Sequence, residues 1–397
     1  MRTATGLQSP TCRRHRSWQL AFVVGLGSWL ILACTAPHIP IVWDEGEYLF
    51  RADQIVAWFH LLFDVGHPHG GLNALSGTVI HEHWLFINWS EGHPAWFAIP
   101  IAVGKGLLSG PLNPLIAARL GPITVFSIAC GAVALRLNHD YGTIAALVAP
   151  IALLTLPRMF SDAHFATQDG QLTAWWLLLW TVDSSVRRST RTAIAVGVLL
   201  GLTCATKFTG WFAMFPVISW RAVAGGRQQR SELLVLVPVA LLTFYAVNPP
   251  LWHAPLAGLA KHFQLNLGRP DMNPFGVGVP SQLPGVWAGR VPPPLSVREY
   301  LFGSLRYDVI HRYAPWYNTV AWLVLVTPVP TLLLGFIGLR HGIGTRARTR
   351  SDDVAPQSNW VSRFSWLPEP RAFALMLHWA TLMVVRALPG APGNRSP

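Results

Sequence analysis

The chain has 397 residues, of which 51% are hydrophobic and only 12% charged, with 19 tryptophans and a mean hydropathy of +0.36. A soluble domain carries about 25% charged residues, so an ordinary soluble enzyme is excluded and a polytopic membrane protein is expected. The formal net charge of +12 would suit a nucleic-acid binder, but the arginines fall in short clusters between apolar runs, the pattern of membrane-topology signals.

A membrane crossing needs about 20 apolar residues. In chain order the apolar runs are 18–42, 94–109, 113–135, 141–157, 170–186, 192–205, 208–220, 232–249, 315–339 and 371–388. Residues 1–17 form a basic tail ahead of the first run. Ile31-Leu32-Ala33-Cys34 resembles a lipoprotein signal, but a retained first helix is the preferred reading. The four cysteines (12, 34, 130 and 204) are scattered, with no CxxC metal site.

Basic clusters at 13–16, 136–139, 187–191, 221–230 and 340–350 should share the cytoplasmic side. They do so only if 94–109 lies along the outer interface rather than crossing. Segment 192–220 is basic at both ends, so it should leave and return, with Thr206-Lys207 at the outer turn. The expected protein is therefore an all-α bundle of about nine spans, N-terminus inside, with a module at 18–340. Its outer loops are 43–112, 158–169 and 250–314. A cytoplasmic loop, 341–370, precedes a last span and tail at 371–397. Within the first loop, 48–63 has apolar positions at helical spacing and reads as an interfacial amphipathic helix.

This topology gathers chemistry on one face. Asp44 and Glu45, in Trp43-Asp44-Glu45-Gly46-Glu47-Tyr48, follow the first run; Asp169 opens the run at 170; Lys207 sits at the outer turn. Each has a plainer reading. Asp169 could serve only the helix dipole, and Asp44-Glu45 could be interfacial loop acids. Neither accounts for a cation at the same depth. A carboxylate can take a proton from an acceptor nucleophile, and a lysine can hold a phosphate. A phosphate leaving group needs no general acid, unlike the alkoxide of an ordinary glycoside. One base plus one phosphate-binding cation would therefore suffice for sugar transfer. His81-Glu82-His83 offers two imidazoles that would share one face of a strand, so a divalent metal is an open question beside the plainer reading of polar loop residues.

In the order of these motifs the chain resembles the GT-C superfamily of membrane glycosyltransferases, in particular the protein O-mannosyltransferase-like group (glycosyltransferase family 39) that includes the lipid-A aminoarabinose transferase. WDEGEY is similar to its first-loop acidic motif. Glu91-Gly92-His93-Pro94 stands where the family has a Lys-Pro-Pro stretch, with His93 in place of the lysine. Gln168-Asp169-Gly170-Gln171-Leu172-Thr173 is similar to its second acidic motif, and Gly201 to Lys207 to its Gly-Leu…Leu-Thr-Lys turn. Pro315-Trp316-Tyr317 with Thr327-Pro328-Val329-Pro330 resembles a later helix, with Val326 where the family has lysine.

The resemblance implies a polyprenyl- or dolichyl-phosphate sugar donor, mannose-like or related. It also implies a protein, lipid or glycan acceptor, inversion at the anomeric carbon, and an active site on the outer face of a plasma membrane, such as a bacterial inner membrane. Asp44 would be the catalytic carboxylate beside Glu45, Asp169 a support, and Lys207 and His93 the donor-phosphate ligands. Tyr48, Glu91 and Arg269 would line the substrate loops. Family members carry further spans after 341–370, so either a short member or a truncated product is expected. The rival expectations are a flippase or transporter of a lipid-linked substrate, and an inactive membrane scaffold.

Overall fold

The structure, a computed structural model, describes residues 10–87, 92–183, 189–219, 221–222, 227–267, 298–301, 304–308, 327–344, 378, 380 and 381. Among these the fold is helical, apart from one antiparallel hairpin of β1 (Arg298–Leu301) with β2 (Ser304–Asp308) inside the third expected outer loop. Two helices, α1 (Pro10–Thr35) and α5 (Pro114–Tyr141), contain segments long and apolar enough to cross a membrane. A third crossing exists if α6 (Thr143–Thr155) and α7 (Pro157–His164), bent by 78° at their junction, count as one.

The bend has a local cause. Leu156 precedes a proline and is extended, with ψ 114°, because a prolyl ring pushes the residue before it out of the helical region. The segment expected as a short outer turn at 158–169 is thus mostly helix. After it, the run expected at 170–186 is the 16-residue α8 (Gln168–Asp183). Segment 192–220 divides as expected. It comprises the 15-residue α9 (Thr190–Cys204), a turn through Lys207, a 3-10 turn (Phe208–Ala213) and the six-residue α10 (Met214–Ser219). Each of these helices is shorter than the roughly 20 residues of a full crossing. α11 (Arg227–Ala246) then returns along α9. Of the two last expected spans, only Val329–Gly344 and a few residues near 380 fall among the described residues.

Helix contacts are made by small residues. Gly197 and Gly201 form a GxxxG pair on α9, and a Cβ on Gly201 would stand 2.5 Å from the Ala240 carbonyl oxygen of α11. A Cβ on Gly131 of α5 would stand 2.9 Å from the Ala21 carbonyl oxygen of α1. Backbones brought this close by small residues are how helices associate in lipid, where there is no hydrophobic drive between them.

The first loop folds over one end of this bundle. Its elements are α2 (Trp43–Phe63), α3 (Gly77–His83) and α4 (Ala98–Leu108). Tyr48, Ile55, Trp58, Trp84, Phe86, Phe97 and Ile101 make its core. The Lys105 ammonium, 2.5 Å from Asp53, pins α4 to α2. Eleven residues span about 16 Å at 1.5 Å each, roughly half a membrane core, and that length agrees with a juxtamembrane helix. The amphipathic helix expected at 48–63 begins five residues earlier, so WDEGEY lies inside its start and not in the loop before it. The HEH triplet is helical rather than extended. At about 100° per residue, i and i+2 on a helix point apart, so the shared face expected for His81 and His83 does not form.

Candidate functional site

The two neighbouring acids of WDEGEY have different environments. Glu45 is fully buried and Asp44 is exposed. The Glu45 carboxylate caps its own helix, accepting from the Val42 backbone at 3.1 Å. It also accepts from Arg119 Nε at 2.8 Å and Nη2 at 2.7 Å, and from the Ala166 backbone at 2.8 Å. Arg119, 1% exposed on α5, spends its remaining donors on the carbonyls of Ala36, Ile39 and Pro40. All five guanidinium hydrogens are thereby used. The Glu45–Arg119 pair thus joins α2, α5, the segment after α1 and the bend leading into α8. Sequence reasoning passed over Arg119, although an arginine inside an apolar run must find a partner and so signals one.

These bonds set the depth of the turn that carries Asp44. The next contact is Tyr48, buried, whose hydroxyl accepts from Gln168 Nε2 at 3.2 Å. Its ring meets Phe97 edge-on at 4.8 Å and the His93 ring at 6.2 Å. Arg51 lies over Tyr48 and Phe86 and is paired with Glu47. Residues 44–48 are therefore packed on 166–168, immediately before Asp169.

Asp169 occupies the first turn of α8, and Lys207 follows the end of α9, in extended conformation. The two helices run antiparallel, so the start of one meets the end of the other. Lys207 Nζ donates to Asp169 Oδ1 at 2.6 Å, with side chains 24% and 42% exposed. Gly170 is pressed on α7, where a Cβ would stand 2.1 Å from the Asp162 carbonyl oxygen. Asp162, paired with Arg158 at 2.9 Å, thereby comes within electrostatic reach of both Asp169 and Lys207. The Trp96 backbone N–H donates to Ala205 at 3.2 Å, tying the segment that bears His93 to the Lys207 turn.

The structure thus sets Glu45, Tyr48 and His93 against the segment that opens on Asp169, which pairs with Lys207, while Asp44 stands beside Glu45 and is exposed. Glu91 and Arg269 lie outside the described residues. His83 and Glu82 line a different cavity of about 500 Å³ with His60, Asp64, His67 and His69. His81 is exposed, and among the described residues no three such side chains are arranged to hold a metal ion.

What the arrangement can do is determined by exposure. Glu45 has no room for a substrate, and His93, packed beside Tyr48, is buried as well. Asp44 and the Asp169–Lys207 pair face outward, where a carboxylate can accept a proton and an ammonium can exchange a carboxylate for a phosphate. Neither a family model, nor a curated protein, nor a solved structure matches the chain.

Proposed function

We propose that the protein is a membrane glycosyltransferase that moves a sugar from a polyprenyl-phosphate donor to a hydroxyl- or amine-bearing acceptor. On this reading it is a multi-pass, GT-C-like bundle with its site on the outer face. The observation that carries the reading is the part-exposed Lys207–Asp169 pair beside the exposed Asp44 turn, at the end of the bundle covered by the first loop.

Asp44 accepts the proton of the acceptor nucleophile as that atom attacks the anomeric carbon. The bond from anomeric carbon to phosphate oxygen breaks, its electrons leave with the phosphate, and the configuration inverts. Lys207 holds the departing phosphate, and the buried His93 supports the first-loop wall beside it. Asp169 holds the ammonium in place until the donor arrives. Glu45, through Arg119 and Ala166, positions the turn and does not touch substrate.

The test is transfer from a labelled polyprenyl-phosphate sugar by purified protein in lipid. Asp44→Asn should abolish transfer while leaving insertion and melting unchanged. An active Asp44→Asn protein sinks the assignment of the base, and an inactive wild type supplied with donor and varied acceptors sinks the reading as a whole.

A further inference from the structure

His93 lies in a segment whose backbone is held from outside. The Gly92 carbonyl accepts from His262 Nδ1 at 2.7 Å and from Asn266 Nδ2 at 3.0 Å, both on α12 (Pro255–Leu267). The Ala95 N–H donates to Asn248 Oδ1 at 2.7 Å. The Ile87 N–H donates to the His93 carbonyl at 2.8 Å. The helix is pressed hard on this turn. Gly92 has φ +65°, and a Cβ there would stand 2.8 Å from Leu265 Cβ. Ile87, β-branched, is held at φ 55°. Such a backbone is strained and persists only where its surroundings over-determine it.

His262 is the centre of that constraint. It is fully buried, and its two ring nitrogens have opposite duties. Nδ1 must carry the proton it gives to Gly92, which leaves Nε2 to accept from Trp211 Nε1 at 3.2 Å. The ring packs on Phe208 at 5.5 Å, Phe263 at 5.5 Å and Phe244 at 5.9 Å between centroids. One side chain therefore touches the residue before His93 and the residue after Lys207. With both nitrogens engaged and no exposure, it is placed to hold and not to react.

We infer that His262, assisted by Asn266, is a positioning residue that sets the spacing between the Gly92–His93 turn and Lys207, and so the width of the phosphate site. The inference rests on the proposed donor-phosphate role of Lys207. α12, from the third expected outer loop, then acts as a clamp on the first loop. Ring packing alone would make His262 a core residue. The two-donor hold on a single strained turn makes it specific to the 87–93 segment.

Two measurements separate this inference from the activity it rests on. Hydrogen exchange at residues 92–96, read without ligand, reports the clamp. Affinity for undecaprenyl phosphate in nanodiscs reports the site. His262→Ala should speed exchange and weaken binding about tenfold, the scale of one lost buried hydrogen bond. His262→Asn, whose amide nitrogen can stand in for Nδ1, should recover most of both. Unchanged exchange in His262→Ala overturns the clamp whatever the protein's activity. Faster exchange with unchanged affinity overturns its link to phosphate. An Asn variant as weak as the Ala variant reduces the role to packing. A wild type that binds no undecaprenyl phosphate overturns the glycosyltransferase reading and the phosphate spacing together, while the exchange result still judges the clamp.

Discussion

Helix α8 carries a carboxylate–cation pair at each end, and the two ends differ in everything but chemistry. At its start Asp169 meets Lys207 at 2.6 Å, with side chains 42% and 24% exposed. At its finish Asp183 meets Arg221 at 2.5 Å, with side chains 3% and 0% exposed. The buried end draws in more partners. Glu232 lies 3.5 Å from the same guanidinium, and His378 lies 3.9 Å from Asp183 while accepting from Trp176 Nε1. A buried pair has no other partner to turn to, so it can only hold helices together. A half-open pair can trade its carboxylate for an incoming anion. Glu45–Arg119 belongs with the buried kind, although it sits one residue from Asp44. Exposure divides framework from chemistry here, and charge alone does not.

The sharpest way to break this division is Arg119→Ala. It leaves the Glu45 carboxylate buried and uncompensated, which costs about 3–5 kcal/mol, enough to unfold many domains. The expected outcome is loss of monodisperse protein in detergent or a large fall in melting temperature. Joint replacement, Glu45→Gln with Arg119→Met, should recover part of the loss because no lone charge remains. If Arg119→Ala melts like wild type, Glu45 is not the joint that its contacts describe, and the contrast with Asp169 collapses.

Acid should also separate the two kinds of group. Burial lowers the His262 pKa from its ordinary 6.5 to about 4, against the raising effect of its bond to Gly92. Because the folded value lies below the unfolded one, the clamp's contribution is complete above pH 6.5. It is lost as pH falls towards about 4, with a slope of about 1.4 kcal/mol per pH unit. Protection of the 92–96 amides, exchange measured against the intrinsic amide rate that itself slows in acid, should therefore fall across that window in wild type. In His262→Asn the fall in protection should be absent. An identical pH profile in both proteins would place the titrating group elsewhere.

Much of this contrast was legible in the sequence, and the part that was not has physical causes. The turn at Lys207 followed from basic residues flanking a segment too long for one crossing. That turn led directly to the Asp169–Lys207 pair. The start of α2 was misplaced because WDEGEY looks polar, while its glutamate is spent capping the helix from within. Arg221 was read with Arg227 and Arg230 as a topology signal, yet it is the buried partner of Asp183 and Glu232. Neighbouring arginines look alike in a sequence, and only packing shows which one faces inward. Arg119 and His262 were invisible as a pair of anchors because their partners, Glu45 and the Gly92 carbonyl, lie 74 and 170 residues away.

The smallest expected effect on stability is also the most informative about function. Lys207→Met removes a pair that is half in solvent, so the fold should lose no more than about 1 kcal/mol. Donor binding should suffer far more, because a charge-assisted hydrogen bond to phosphate is worth about 1.5–3 kcal/mol. That corresponds to a ten- to hundredfold rise in the donor KM. Lys207→Arg should restore charge without the original geometry, since its planar fork replaces a compact ammonium on a flexible stem. It should recover the donor affinity only in part. The discriminating result is the relation between the two readouts in Lys207→Met. A melting loss as large as that of Arg119→Ala would move the pair to the framework side. Unchanged stability with unchanged donor KM would leave Lys207 an ordinary interfacial lysine. Only intact stability with weakened donor binding is what an exchangeable pair requires.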